Sequence, residues 1–258
     1  DPIGDIEPDI EHDIVRPDAR VACDQSPHQR KPGSLPGMAL RGFESAHAVR
    51  FYLQPGGVES VRPLQPGAPP LGYALPSFGL QLEFEPTDFI QVNGELNERM
   101  VGRAVELLVL EPEHAVLDLF CGLGNFSLPL ATRTREVIGI EGDAGLVARA
   151  ARNATRNALA NATFHVADLF ADSSGAPWAR RHYDRVLLDP PRAGAREVLP
   201  VVGGCGAARV VYISCHPGSL ARDAGLLVRE HGFRLAAAGV MDMFPHTTHV
   251  EAVAVFER

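Results

Sequence analysis

The rhythm of apolar and polar residues divides the chain into a patternless lead, a short stretch of strands and turns, and a long alternation of strands and helices. The first 36 residues are rich in Asp, Glu and Pro, end in the turn-prone KPGSLPG and show neither helical nor strand periodicity. That pattern predicts a flexible lead over residues 1–39, to which no function is assigned. From Val49, VRFYLQPGG predicts a strand closed by a turn, LQPGAPPLGY a Pro/Gly-rich connection, and LQLEFEP at 80–86 an alternating strand. NERMVGRAVELLVL then takes up a helical period. Beyond it, AVLDLF (115–120), EVIGIE (136–141), TFHVADL (163–169), RVLLDP (185–190) and RVVYIS (209–214) are nearly continuous apolar runs separated by helical segments. Such runs suit parallel strands covered by helices on both faces. FRLAAAGVMDMF and HVEAVAVFER are joined only by PHTT, which leaves no room for a crossover helix, so they are predicted to pair as an antiparallel hairpin. The predicted fold class is α/β, a doubly wound and mostly parallel sheet with a C-terminal antiparallel hairpin, preceded by a small β-containing piece.

Composition narrows the function classes. At 258 residues with 45% hydrophobic and 22% charged residues the chain is ordinary globular protein. No stretch approaches the roughly 18 apolar residues of a membrane span. The formal charge is -8, but residues 1–15 hold six acids and no Lys or Arg, whereas residues 91–258 hold 19 acids and 17 bases. A nearly neutral region of that size does not grip nucleic acid by bulk charge alone. The bases are 23 Arg and the single Lys31, which reads as base composition of the gene rather than chemistry. Cys23, Cys121, Cys205 and Cys215 form no Cys-x-x-Cys pair and no metal-ligand spacing, so no metal site and no disulfide framework is expected, in keeping with a reduced, cytoplasmic protein. No signal peptide is recognisable, and a first residue of Asp rather than Met suggests a fragment or a misplaced start.

The chemistry lies at the ends of the predicted strands. In VLDLFCGLGNFS, Gly122 and Gly124 follow the first parallel strand, where a tight strand-to-helix turn and a close backbone approach to a ligand are the two readings. Glu141 ends the next strand, the place from which a carboxylate accepts hydrogen bonds from ribose hydroxyls, and Asp168 closes the third in the same register. Ser127 stands where a dinucleotide fingerprint has its third Gly, and no anion cradle is evident, so a cofactor with an adenosine and no pyrophosphate fits: S-adenosylmethionine. Asp189-Pro190-Pro191-Arg192 closes the fourth strand as a stiff loop, either a helix stop or a substrate-edge loop in which Asp189 accepts a hydrogen bond from a base or the cofactor. The fifth strand ends in Ser214-Cys215-His216-Pro217, with a helix predicted from about Pro217 to Glu230. Just ahead of a positive helix end, the Cys215 thiol is expected to have a lowered pKa.

A nucleophilic thiolate answers a particular need. C5 of uracil is too weak a nucleophile to take a methyl group unaided, and sulfur addition at C6 turns it into an enolate carbon. The C5 proton must then leave to a base before sulfur is eliminated, and Glu251 of PHTTHVE is the best candidate against the reading of an ordinary exposed strand carboxylate. His246 and His249 are read as structural or substrate-lining.

The segments FIQVN (89–93), VLDLFCGLGNFSLPLA (116–131), VLLDPPRAGA (186–195), VVYISCHPGSLARD (210–223) and MDMFPHTTHVE (241–251) together resemble the RNA (uracil-5-)-methyltransferases. The ending DMFPHTTHVE is most similar to the branch that acts on 23S ribosomal RNA at uracil 1939. The resemblance runs from about Leu40 to the C-terminus and implies a Rossmann-like, S-adenosylmethionine-dependent methyltransferase fold. It puts the nucleophile on Cys215 and the proton-abstracting base on Glu251, and cofactor contacts on Gln91, Phe120, Asn125, Glu141, Asp168 and Asp189. His216, where Asn is common, is a mild departure. The family's N-terminal RNA-binding domain and the four cysteines of its iron–sulfur cluster have no counterpart here, so residues 40–75 read as the tail of a central domain and 76–258 as the catalytic domain. RNA, most simply 23S rRNA, is the implied partner of a monomer with no membrane association. Three alternatives stay open: a tRNA uracil-5 methyltransferase, an exocyclic-amine nucleic-acid methyltransferase using the DPPR loop without need of Cys215 or Glu251, and a truncated, inactive cofactor-binding module.

Overall fold

The computed structural model describes residues 35–242 and 250–258, so Cys23, His246 and His249 lie outside the described residues. Two compact units divide at Pro69/Pro70. In the first, helix α1 (Leu35–His47) precedes a short antiparallel pair, β1 (Tyr52–Leu53) and β2 (Arg62–Pro63). No helix is predicted there from the pattern. Part of what ties α1 down is a contact that helical periodicity does not register. The buried Glu44 accepts the Phe51 backbone N–H at 2.7 Å and a hydrogen bond from the Gln65 amide.

The second unit opens with an antiparallel hairpin, β3 (Leu71–Leu75) and β4 (Leu80–Phe84), turning through Gly79 at φ +67°. A domain limit at 75/76 falls inside this hairpin, whereas the compact unit starts at Pro70. Then follow α2 (Gly94–Leu108), β5 (Ala115–Leu119), α3 (Ser127–Ala131), β6 (Glu136–Glu141), α4 (Ala144–Arg156), β7 (Ala162–Val166), β8 (Arg185–Leu188), α5 (Leu199–Gly204), β9 (Arg209–Ser214), α6 (Pro217–Glu230), β10 (Arg234–Met241) and β11 (Glu251–Glu257). The seven-stranded sheet has the order β7-β6-β5-β8-β9-β11-β10. Its first five strands are parallel, and β11 lies antiparallel between β9 and β10. The doubly wound sheet with a terminal hairpin is therefore present.

Side-chain alternation sorts the sheet into two cores. Leu117, Leu119, Val186, Leu188, Val210, Tyr212, Ala252, Ala254 and Phe256 pack on the face that also holds residues of α5 and α6. Val116, Leu187, Val211, Ile213 and Val255 pack on the other face with α2, α3 and the β3–β4 hairpin. The odd and even positions of these strands are thereby assigned to opposite sides, which decides where the residues just beyond each strand point.

The hairpin is joined to α4 by side chains acting as a strand. Asn153 accepts from Glu83 N at 2.9 Å and donates to Glu83 O at 3.1 Å, and Asn157 does the same with Gln81 at 3.0 and 2.7 Å. Four helical residues rise about 6.0 Å and two strand residues about 6.8 Å, so amides spaced i, i+4 match alternate backbone groups of an edge strand. This covers an edge that would otherwise expose pairing groups.

Candidate active site

All the predicted site residues that are described lie at or near the carboxyl edge of the parallel strands or on the loops that flank it. At the end of β5, Phe120 adopts φ +65°, unusual for an aromatic residue, and the N–H groups of Phe120 and Cys121 both donate to Ile140 O at 2.9 and 3.0 Å. Gly122 (φ +53°) and Gly124 (φ +99°) complete the turn. A Cβ on Gly124 would come within 2.4 Å of Leu128, so this glycine is required sterically, whereas a Cβ on Gly122 would meet nothing within 4 Å. The strand end thus presents bare backbone toward open space.

Glu141 closes β6 and is held by three backbone donors: Gly122 N at 3.1 Å, Gly142 N at 2.7 Å and Asp143 N at 3.1 Å. Asp143 caps α4 by accepting from Leu146 N at 2.9 Å. Asp168 does not close its strand, because β7 stops at Val166. It lies in the following loop, where its Oδ1 accepts the Phe170 N–H at 2.9 Å and brings the Phe170 ring 5.7 Å from that of Phe120.

The FIQVN segment leads into α2. Asn93 is its cap, accepting from Leu96 N at 3.1 Å, and Arg149 of α4 donates to Asp88 at 2.8 Å to fix the preceding turn. Gln91 is half-buried with its Oε1 buried and unpartnered, while its neighbours Phe89 and Val92 are exposed. The Asn125 amide is engaged inside the protein: it pairs reciprocally with Asn97 at 2.9 and 3.0 Å and accepts the Tyr73 hydroxyl at 2.9 Å. Burial pushes the Tyr73 hydroxyl up, so it serves as a donor.

Sequence reasoning missed one buried acid. Asp118 of β5 is fully buried, accepts a hydrogen bond from Ser127 Oγ, and leaves Oδ1 without a partner. Burial raises its carboxyl to about 7, with the Ser127 hydrogen bond opposing and Glu141 adding to the rise. The serine in the place of a third glycine was the signal, since a hydroxyl there can reach back to the strand.

The far half of the edge is built by alternation and register. Asp189 continues the parity of Leu187, Cys215 that of Val211 and Ile213, and Glu251 that of Val253 and Val255, so all three belong to the α2 face. In the β9–β11 ladder the last pair at this edge is Ala252 with Ser214, which puts Glu251 across from Cys215 one step beyond. Glu251 is buried and lines a cavity of about 220 Å³ with Met100, Arg103, Ile213, Met241 and Val253. Asp189 is half-buried; burial pushes its carboxyl up to about 8, and Glu251 and Asp118 add to the rise. Burial raises Glu251 as well.

Helix α6 begins at Pro217 as predicted, and the His216 ring caps it, Nδ1 accepting Ser219 N at 3.1 Å. An imidazole there fills the acceptor role that an Asn side chain would have. The expected lowering of the Cys215 pKa is corrected by the structure. Burial, then Glu251 and Asp189, push the thiol up, and these outweigh Arg192, which acts in the opposite direction.

A glycine turn after the first strand, a carboxylate ending the second and a thiol with an acid at the far edge define a doubly wound enzyme domain of the methyltransferase kind. The solved structure of M. jannaschii TYW2 in complex with AdoMet has this fold, with a TM-score of 0.57 at 18% identity over 81% of this chain and 93% of that one. The family is settled by sequence. Residues 79–258 match the family model described as tRNA (Uracil-5-)-methyltransferase, and the chain belongs to that family. A 23S rRNA (uracil(1939)-C(5))-methyltransferase RlmD of Xanthomonas axonopodis pv. citri (strain 306) is 60% identical over 216 residues, 84% of this chain and 49% of the relative. The Pyrococcus abyssi tRNA (uracil-54, C5)-methyltransferase, solved in complex with S-adenosyl-L-homocysteine, superposes with a TM-score of 0.66 at 28% identity, covering 81% of this chain and 50% of that one. The chain spans about half the length of the curated relatives it matches. Among the described residues no helix is long and apolar enough to cross a membrane.

Proposed function

We propose that this chain carries the catalytic domain of an S-adenosylmethionine-dependent methyltransferase acting on C5 of a uridine in 23S rRNA, with uracil 1939 as the target, in the cytoplasm and as a monomer. The rRNA target follows the similarity to the 23S rRNA enzymes, and the unit that ends at Pro69 reads as the tail of an upstream domain. The placement of Glu251 across from Cys215, made by inserting β11 antiparallel beside β9, is the observation that supports this reading most. An exocyclic-amine methyltransferase has no use for that pair.

The residues present fit the cofactor. Gly122 leaves open space against bare backbone, and the buried Gln91 Oε1 lacks a partner. Glu141 is positioned to accept ribose hydroxyls, Phe120 and Asp168 to border the adenine, and Gln91 and Asp189 to border the amino-acid end, with Asn125 shaping the turn from within. When bound, S-adenosylmethionine supplies the electrophilic methyl group and a positive charge that offsets the carboxyls beside Cys215. Cys215 Sγ, after losing its proton to solvent, adds to C6 of a uracil turned out of its stack, and the electron pair of the C5–C6 double bond becomes an enolate. After the enolate carbon C5 has taken the methyl group, whose bond to the donor sulfonium breaks to leave S-adenosylhomocysteine, Glu251 takes the C5 proton, the double bond re-forms and the C6–S bond breaks to return the thiolate. Burial raises the Glu251 carboxyl and so makes it a stronger proton acceptor than an exposed one.

The test is incubation with 5-fluorouridine-substituted 23S rRNA and labelled S-adenosylmethionine. Fluorine at C5 blocks the last proton removal, so a covalent, label-bearing protein–RNA adduct is expected, and Cys215→Ala should abolish both it and turnover. Adduct formation that survives Cys215→Ala would overturn the assignment.

A further inference from the structure

The segment LARD, at the middle of α6, has no part in the chemistry above, yet it contains a completely buried acid. Asp223 is 0% exposed and spends both oxygens. Its Oδ2 accepts the Ala195 N–H at 2.8 Å and the Tyr212 hydroxyl at 2.6 Å, and its Oδ1 accepts Arg222 Nε at 2.8 Å. Arg222 reaches on to donate to Ala193 O at 2.8 Å. Ala193 and Ala195 belong to the loop that begins with Asp189-Pro190-Pro191-Arg192, and Tyr212 is on β9 shortly before Cys215. Between them Gly194 is at φ +87°, and a Cβ there would come within 2.5 Å of both Asp223 Oδ2 and Arg222 Nη2. The loop is pressed against the pair too closely for any side chain.

We propose that Asp223 and Arg222 are positioning residues that clamp the 189–195 loop to the strand and helix flanking Cys215, so that Asp189 and Arg192 are held in place beside Cys215. Several facts converge on this. A buried carboxylate is retained in a helix only where its hydrogen bonds are complete, as they are here. Two of its three donors come from outside α6, one from the loop and one from β9. Its polar contacts are therefore spent on joining elements rather than on capping or solubility. The loop alone has little to hold it, since the two prolines donate no backbone hydrogen bonds and the turn closes on itself through Gly194 N to Pro191 O at 2.9 Å.

This inference rests on the proposed reaction, and its test separates the two. Amide hydrogen exchange at Ala195, measured without RNA or cofactor, reports the clamp directly. Single-turnover adduct formation on 5-fluorouridine RNA reports positioning through its rate constant, while its amplitude reports the folded fraction. Asp223→Asn puts an amide donor opposite either a backbone N–H or Arg222 Nε, and Arg222→Ala removes the tie to Ala193 at an exposed position where folding is least at risk. Both variants should exchange faster at Ala195. Asp223→Asn should lower the rate constant about a hundredfold, as a misplaced loop does, and Arg222→Ala by about tenfold, at full amplitude. Loss of amplitude with an unchanged rate constant would reduce the pair to a folding role and overturn the proposal, as would wild-type exchange in both variants. A wild-type protein that forms no adduct would refute the reaction and leave the exchange result standing.

Discussion

The two halves of the sheet's carboxyl edge treat their acids in opposite ways. At β6, Glu141 is met by three backbone N–H groups, each within 3.1 Å. At β8, β9 and β11, Asp189, Cys215 and Glu251 crowd together, and among the described residues neither carboxylate receives a side-chain or backbone hydrogen bond. The first half is satisfied before any ligand arrives and is suited to holding one still. The second carries repulsion and desolvation that raise all three groups, Asp189 to about 8. That half sets a thiol beside two raised carboxyls, the nucleophile and proton acceptor that addition and elimination at a pyrimidine demand. One fold edge is thus divided into a binding part and a proton-handling part.

Substitutions in the proton-handling half should strike the rate hardest. Glu251→Gln is expected to lower turnover by roughly 10² to 10⁴, the usual worth of a general base, while the adduct with natural rRNA still forms and accumulates. Rapid-quench gel analysis would reveal it, and normal product release by the variant would merge the two halves again by removing the base from the mechanism. In the binding half, Glu141→Ala should raise the KM for S-adenosylmethionine by about 10- to 100-fold, the cost of one or two charge-assisted hydrogen bonds, with a smaller change in kcat. A fall in kcat alone would mean that Glu141 acts on the chemistry rather than on binding.

The smallest effect is one on stability. A carboxyl raised from 3.8 to about 8 contributes stability that is fully present below the unfolded value and lost as pH rises through the folded one. Asp189 should therefore weaken the fold progressively between about pH 4 and pH 8. Asp189→Asn, which cannot ionise, should gain in Tm relative to the wild type as pH is raised from 5 to 9, by about 2–4 °C for each kcal/mol recovered. Calorimetric melting at the two pH values measures it, and a constant Tm difference would show that Asp189 is not a source of strain.

Much of this division was readable before the structure. The five apolar runs and the short PHTT connection led to the doubly wound sheet and its terminal hairpin, because strand periodicity and connection length are local properties of the chain. The caps Asn93, Asp143 and His216 went unread, although each needs an acceptor only three residues from its donor. What else escaped was held by partners distant in sequence. Helix α1 is tied by Glu44 to Phe51 and Gln65, and Asn153 and Asn157 pair with Glu83 and Gln81. The Asp118–Ser127 pair has a visible sign only once the turn between them is known.

Cys215 shows the boundary most clearly. Its place ahead of α6 is a matter of sequence, and the dipole argument that follows from it points to a lowered pKa. The sign is reversed first by burial and then by Glu251 and Asp189, which arrive from other strands. The sequence by itself determined which segments form the strands and, through the period of two, which of their residues share a face. Only the tertiary structure decided that β11 would enter beside β9, that Glu251 would stand across from Cys215, and that three acids would share one poorly solvated corner. Periodicity is written in short-range backbone geometry, whereas the energy of a buried charge is set by whatever the whole fold brings near it.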